Sequence, residues 1–189
     1  MSLLISSFMY TGLSGDNHNT ILPTLRILDQ NFLVNDWFIN LYDGVLSIRT
    51  FFNYLTIPII QLFNDVKLSY GVLFLISNAL IGFTIYKISG ICFKNEFASQ
   101  FIAYFSLIAG STFWIFAMTN YLRWDFAPHT LGVLYILISM YYYLIDKFSL
   151  SIIFTGIATL FQQLVGLHFF GLLFGSYLLT SFIKKNINI

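Results

Sequence analysis

The chain has 189 residues, of which only 9% are charged and 58% are hydrophobic, and its mean hydropathy is +0.79. Because a soluble domain has about 25% charged residues, this composition indicates an integral membrane protein. The net charge of +1 offers no basic surface for nucleic acid, and the single cysteine, Cys92, excludes an internal disulfide.

Uncharged runs along the chain predict the helices that cross the membrane. A span needs roughly 20 apolar residues. Three runs suit one span each, over residues 68 to 86, 97 to 122 and 126 to 145. A shorter uncharged run, residues 1 to 15, comes before them.

The last uncharged run, residues 148 to 183, is too long for one span. Gln162 and Gln163 near its middle predict a turn, with a half-length helix over 149 to 161 and a full one over 164 to 183. A turn at membrane depth needs cover from protein or a watery cavity. The sequence therefore predicts an all-α transmembrane bundle of about five spans, one of them half-length, in a single domain covering the whole chain.

Residues 45 to 63 predict a helix that lies in the membrane interface. Arg49, Asn53 and Thr56 fall on one helical stripe, whereas Phe, Leu and Ile cover the rest. Pro58 is expected to kink this helix. The alternative is that the segment crosses the membrane.

The positive charges favour the interfacial alternative, because Lys and Arg concentrate in cytoplasmic loops. If residues 45 to 63 do not cross, every lysine after residue 67 falls on the cytoplasmic side, namely Lys87, Lys94, Lys147, Lys184 and Lys185. Residues 14 to 67, residues 119 to 127 and the glutamine turn then lie on the non-cytoplasmic side.

Three polar clusters are thus predicted to meet at one membrane face. The first holds half of the eight acidic residues, with a histidine and an arginine: Asp16, His18, Arg26, Asp29, Asp36 and Asp43. The second is Arg123, Asp125 and His129, and the third is Gln162 with Gln163. Such a gathering suits chemistry on a lipid head group. The sequence has no glycine-rich phosphate loop, no zinc-ligand spacing and no nucleophile elbow.

Three segments that follow an Asp after the first apolar run carry a family resemblance. They are "ILPTLRILDQNFLVNDWFIN", "IRTFFNYL" and "LFQQLVGLHFFGLLF". The chain resembles the N-terminal half of polytopic bacterial proteins of the GT-C superfamily. These glycosyltransferase-like membrane proteins are similar to the protein mannosyltransferases and the lipid A aminoarabinose transferases. The resemblance implies a bacterial inner-membrane protein that takes a sugar from a polyprenyl-phosphate carrier and passes it to an acceptor on the non-cytoplasmic face.

The resemblance also implies roles for particular residues. Asp16 matches the general base that removes the proton of the acceptor hydroxyl. Many relatives have Asp-Glu at this point, whereas Asn17 and His18 follow Asp16 here. The donor substrate is the polyprenyl-phosphate sugar, and no cofactor is implied. Full-length relatives have more helices, so the chain is expected to be an N-terminal part or a domain that needs a partner chain.

The candidate substrate-binding residues each have a structural alternative. Arg49 and Arg123 suit a lipid phosphate, although Arg123 equally suits an ion pair with its neighbour Asp125. Further candidates for binding substrate are His18, His129 and Gln163. No metal site is predicted, because the scattered aspartates lack ligand spacing.

The remaining polar residues are predicted to be structural. Asp36 is expected to cap a short interfacial helix that Trp37 anchors, and Asp29 and Asp43 are expected to be solvated. For His168 we predict an interhelical hydrogen bond.

Two functions remain: a membrane glycosyltransferase, and a non-catalytic membrane protein, either an accessory subunit or a degenerate relative, that binds a lipid or a partner.

Overall fold

The computed structural model describes residues 15–40, 47, 49–112, 114–115, 119–120 and 126–187. Within this part the predicted helical fold is confirmed. The helices are α1 Gly15–Leu28, α2 Trp37–Asn40, α3 Thr50–Phe63, α4 Val66–Phe93, α5 Glu96–Thr112, α6 Pro128–Leu144, α7 Phe148–Phe161 and α8 Gln163–Ile187. A two-residue antiparallel ladder pairs β1, Trp114–Ile115, with β2, Thr119–Asn120.

In the described part of the chain, two helices are long and apolar enough to cross a membrane. These are Val66–Phe93 and the Gln163–Phe182 part of α8. The helices Thr50–Phe63 and Phe148–Phe161 are apolar but shorter. The run at residues 1 to 15 lies almost wholly outside the described residues.

The predicted turn within the last apolar run is confirmed. Helix α7 ends at Phe161, Gln162 leaves the helical conformation, and α8 begins at Gln163. The predicted helix over 126 to 145 is also present, with Pro128 as its first residue, where a missing N–H costs nothing. Helix α4 extends the predicted 68 to 86 at both ends. The Asp65 side chain caps its start, accepting a hydrogen bond from the Leu68 N–H at 2.9 Å.

Two segments differ from the prediction. Residues 15–28, which follow the first uncharged run and lie in the first polar cluster, form α1, so Asp16 lies in the first turn of a helix and not at the end of one. The apolar residues Ile21, Leu25 and Leu28 share one face of α1 and join the core, and this packing outweighs the helix-breaking tendency of Pro23. The predicted span over 97 to 122 ends early, at Thr112, and the short ladder follows it.

Beside an apolar core, the described helices bury many small polar side chains and expose many large apolar ones. Buried polar residues include Ser69, Ser77, Asn78, Thr84, Ser99, Ser139, Ser151 and Thr155. Exposed apolar residues include Phe83, Phe97, Phe101, Leu172, Leu179 and Phe182. Several buried hydroxyls bind the carbonyl one turn earlier, as Thr84 Oγ1 does to Leu80 O at 2.7 Å. Buried small polar residues are typical of helices that pack closely within lipid, and exposed apolar surface of this extent marks contact with a membrane or with another protein.

Candidate functional site

The first residues of α4 and the residues that precede α6 lie at the same end of the bundle. Phe52 of α3, Tyr70 of α4 and Phe126 form a buried aromatic cluster. The Phe52 and Phe126 ring centroids are 5.0 Å apart, and those of Tyr70 and Phe126 are 5.8 Å apart. Helices α4 and α6 therefore start side by side and run in the same direction.

The break between α7 and α8 reaches this same end. Gly132 lies in the second turn of α6, and a Cβ added there would stand 2.8 Å from Gln162 Cβ. Gln162 is half-buried, and its carbonyl accepts the Gly166 N–H at 3.0 Å. We call the end of the bundle that carries Arg49, His129, Gln162 and Gln163 the polar end.

Five of the six lysines gather at the opposite end, which we call the lysine end, whereas Lys67 lies at the start of α4. Helices α4 and α5 are joined there at Lys94, and α6 and α7 at Lys147. Helix α8 runs back toward it, because the Tyr143 hydroxyl lies 2.8 Å from Ser176 Oγ and the Phe148 and Tyr177 rings stack at 4.6 Å. The lysine end thus holds Lys87, Lys94, Lys147, Lys184 and Lys185, with Glu96 and Asp146.

Helix α3 lies across the polar end. Its Ile59 carbonyl accepts a hydrogen bond from Ser69 at 3.2 Å, while its Phe52 ring meets the Tyr70 ring with centroids 6.2 Å apart. Ser69 and Tyr70 are adjacent in α4, and they contact residues of α3 that are seven positions, or about 10 Å, apart. Helix α3 also contacts α1 and α7. It therefore crosses α4 near its start, as an interfacial helix would.

Arg49 is positioned by the turn that starts α3. Its N–H donates to Ser47 Oγ at 3.2 Å, and the Ser47 N–H donates to Thr50 Oγ1 at 2.8 Å. The Arg49 side chain is half-buried and makes no capping hydrogen bond to α3. A fixed backbone with a cation just outside the first turn can present that cation to an anionic head group.

The structure describes some of the other predicted site residues fully and others only in part or not at all. His129 is half-buried in the first turn of α6, and Gln163 is exposed as the first residue of α8. Asp16 and His18 lie in the first turns of α1, but their side chains fall outside the described part, as do Arg123 and Asp125 entirely. The structure therefore brings Arg49, His129 and Gln163 to one end of the bundle and leaves the rest of the predicted site untested.

Sequence reasoning missed a buried polar cluster beneath α3. Thr20 and Thr24 of α1 and Thr56 of α3 face the Tyr70 hydroxyl, and all four residues are at most 1% exposed. Asn53 lies beside Thr56 on α3 and is 4% exposed. The Asn53–Thr56 stripe was visible in the sequence, but its inward orientation was not. Because Thr24 Oγ1 and Thr56 Oγ1 donate to backbone carbonyls at 2.8 Å, their oxygens remain available as acceptors.

Two atoms near this cluster have no hydrogen-bond partner in the part of the chain that the structure describes. They are Asn53 Oδ1 and the Tyr70 hydroxyl oxygen. A buried polar atom without a partner carries a desolvation cost of about 1–3 kcal/mol. Such a cost is normally relieved by a bound water or a ligand hydroxyl.

The described charged residues from the last turn of α1 to α2 make structural hydrogen bonds. The Arg26 guanidinium donates to the carbonyls of Gln30 and Phe32, the latter at 3.1 Å. Asp36 Oδ1 accepts the Ile39 N–H at 3.0 Å, which confirms the predicted cap of the short helix α2. Asp29 is exposed, as predicted, and its Oδ1 accepts the Asn31 N–H at 2.9 Å. Asp43 lies outside the described residues.

The prediction for His168 is wrong. Its side chain is exposed on α8 and is not buried between helices. The apolar face of α8 toward α7 is narrow, and His168 lies outside it. Among the described residues, no group of three or more His, Cys, Asp or Glu side chains forms a metal site.

Comparisons with known proteins give no assignment. No protein-family model, no curated protein and no solved structure matches this chain significantly.

Proposed function

We propose that this protein is an integral-membrane glycosyltransferase, or the N-terminal part of one, that uses a polyprenyl-phosphate sugar on the non-cytoplasmic face. The observation that carries the proposal is the gathering of Arg49, His129 and Gln163 at one end of an apolar helical bundle. These residues come from three segments far apart in the chain. A lipid-linked phosphate would meet them where the head groups of the bilayer lie.

The proposed orientation follows from the two ends of the bundle. The lysine end carries five lysines against two acidic residues, Glu96 and Asp146. The positive-inside tendency assigns such an end to the cytoplasm. The polar end then faces outward, with α3 in the outer interface and about five helices between the two surfaces.

In the proposed reaction, Asp16 acts as the base and Arg49 stabilises the leaving group. A bond forms between the sugar C1 and the acceptor oxygen as the bond from C1 to the carrier phosphate breaks. The acceptor proton goes to the Asp16 carboxylate. The leaving polyprenyl phosphate keeps the bonding electrons, and Arg49, with Arg123 as the second candidate, stabilises its negative charge.

Binding of a polyprenyl phosphate to the protein in nanodiscs tests the donor site. We expect wild-type protein to bind the carrier, Arg49→Ala to weaken binding at least tenfold, and Asp16→Asn to leave it within twofold. Arg123→Ala tests the second arginine in the same way. The matched control is Lys147→Ala, which removes one positive charge from the opposite end. Absence of binding by the wild type, or equal losses in Arg49→Ala and Lys147→Ala, would overturn the proposal.

A second candidate function is that of a non-catalytic subunit bound to a partner chain. It is favoured by the exposure of α8. Only 11% of an apolar 18-residue stretch of α8 is buried, against 44% of the corresponding stretch of α4. Release of polyprenyl phosphate from the donor separates the two functions. If the protein is an enzyme, the wild type should release polyprenyl phosphate from the donor. Asp16→Asn should abolish this release while binding of the carrier persists. A wild type that binds the carrier but never releases the sugar supports the non-catalytic function.

A further inference from the structure

A groove lies between α4 and α5, away from the polar end. Its volume is about 250 Å³, and its lining includes Ala79, Gly82, Phe83, Ala103, Tyr104 and Leu107. The groove is open because both helices have small side chains there, and aromatic rings border it. Tyr86 and Gln100 also line the groove and add polar groups to an otherwise apolar surface.

The register of α4 and α5 places the polar part of the groove nearer the lysine end. Gly90 of α4 faces Ser99 of α5, with Ser99 Oγ 3.8 Å from the place of a glycine Cβ. Gln100 therefore lies nearer that end, and Leu107 lies about 10 Å deeper along α5. Pockets for compact drug-sized ligands have about 300–1,000 Å³. A smaller, elongated groove suits a segment of a single hydrocarbon chain.

A cation stands at the rim of this groove. Lys87 Nζ is 5.3 Å from the ring centroid of Phe83, a lining residue that is 57% exposed. Lys94 caps the end of the same helix and is exposed. Glu96 lies nearby, where its carboxylate accepts from the Gln100 amide at 3.4 Å. The rim is thus a mixed surface with one more positive than negative charge.

We propose that this groove binds one acyl chain of an anionic bilayer phospholipid, whose head group pairs with Lys87. The long lysine side chain reaches the head-group level while its stem stays on apolar surface. The site is separate from the proposed sugar-transfer site and rests only on the proposed membrane insertion. Its ligand chemistry is an apolar chain with a single anionic head.

The test uses the full chain in nanodiscs of equimolar phosphatidylglycerol and phosphatidylcholine, followed by native mass spectrometry of the lipids that it retains. We expect wild type to retain phosphatidylglycerol about fivefold over phosphatidylcholine, the factor that one lysine contributes near an anionic head group. Lys87→Gln should bring this ratio close to one. Ala79→Leu, which narrows the groove, should reduce retention of both lipids.

Two control variants keep the result specific. Lys147→Gln removes a lysine from the same end away from the groove, and Gly156→Leu adds a side chain where no atom lies within 4 Å. Neither should alter retention. If Ala79→Leu does not fold, Ala103→Leu fills the groove from α5. Equal loss of the ratio in Lys87→Gln and Lys147→Gln, or unchanged retention in the folded groove variant, overturns the assignment. Failure of the wild type to enter nanodiscs instead contradicts the proposed membrane protein itself.

Discussion

Gln162 packs against Gly132 so closely that a Cβ on Gly132 would stand 2.8 Å from the glutamine Cβ. On the other side of the α7–α8 break, a Cβ on Gly166 would lie 2.7 Å from both Cα and N of Thr159. The break is thus held between two glycines, one on α6 and one on α8. Its position at the polar end depends on residues that need not touch a substrate.

Replacing either glycine should destabilise the protein. We expect Gly132→Ala and Gly166→Ala to cost about 1–3 kcal/mol each, as overpacked sites do. The loss should be larger for Gly166→Ala, because it meets backbone atoms that cannot rotate away. The matched control is Gly156→Ala, which meets no atom within 4 Å and should gain about 0.5–1 kcal/mol from helix propensity. Denaturation in mixed detergent micelles measures all three, and equal effects of Gly166→Ala and Gly156→Ala would refute the close approach.

A second prediction concerns the hydroxyl group that joins α6 to α7. Ser139 Oγ lies 2.9 Å from Ser151 Oγ and 2.8 Å from Thr155 Oγ1, and Ser139 is fully buried. Polar contacts between membrane helices average about 0.6 kcal/mol and reach about 1.7. Ser139→Ala should therefore lower the free energy of unfolding by an amount in this range. The control Thr180→Val removes an exposed hydroxyl that bonds within its own helix and should have no measurable effect. A null result for Ser139→Ala would mean that helix packing alone joins α6 and α7.

Several elements of the fold could be predicted because a single local signal marked each one. Gln162 and Gln163 interrupt an apolar run, so the α7–α8 break was predicted at the right residue. Pro128 marked the start of α6, and Asp36 marked the cap of α2. Each signal acts through the backbone of its own segment and needs no tertiary partner.

Other features could not be predicted because they depend on packing between segments. Helix α1 contains Pro23 and a polar first half, and its helical face becomes evident only from the core residues it contacts. The inward orientation of Asn53 and Thr56 depends on threonines 29 or more positions away in α1. For the candidate site, the charge distribution predicted one shared membrane face for Arg49, His129 and Gln163, and this site stays a prediction. It did not indicate Tyr70, which lies in the uncharged run 68 to 86.

A third prediction concerns the Tyr70 hydroxyl. Its oxygen has no hydrogen-bond partner in the described part of the chain, although the Tyr70 ring is fully buried against Phe52 and Phe126. Tyr70→Phe removes this unpaired hydroxyl and should therefore leave the free energy of unfolding unchanged or raise it by up to about 3 kcal/mol, the desolvation cost of a buried unpaired polar group. Tyr70→Leu, which removes the ring contacts, should cost about 1.5 kcal/mol or more. The comparison is made in the same mixed micelles. A loss above about 1 kcal/mol in Tyr70→Phe would show that a bound water or a threonine satisfies this hydroxyl.

The final prediction uses the native cysteine to report orientation. Cys92 is exposed close to the lysine end, so the proposed orientation places it at the cytoplasmic surface. A membrane-impermeant maleimide should label it only after right-side-out vesicles are permeabilised. In a Cys92→Ser background, Asn31→Cys places a thiol in the exposed segment between α1 and α2, and this thiol should react in intact vesicles. The reverse pattern would put the polar end in the cytoplasm, where Arg49 could not meet a carrier on the outer face. Labelling of both thiols in intact vesicles would show that the two ends are not separated by a bilayer.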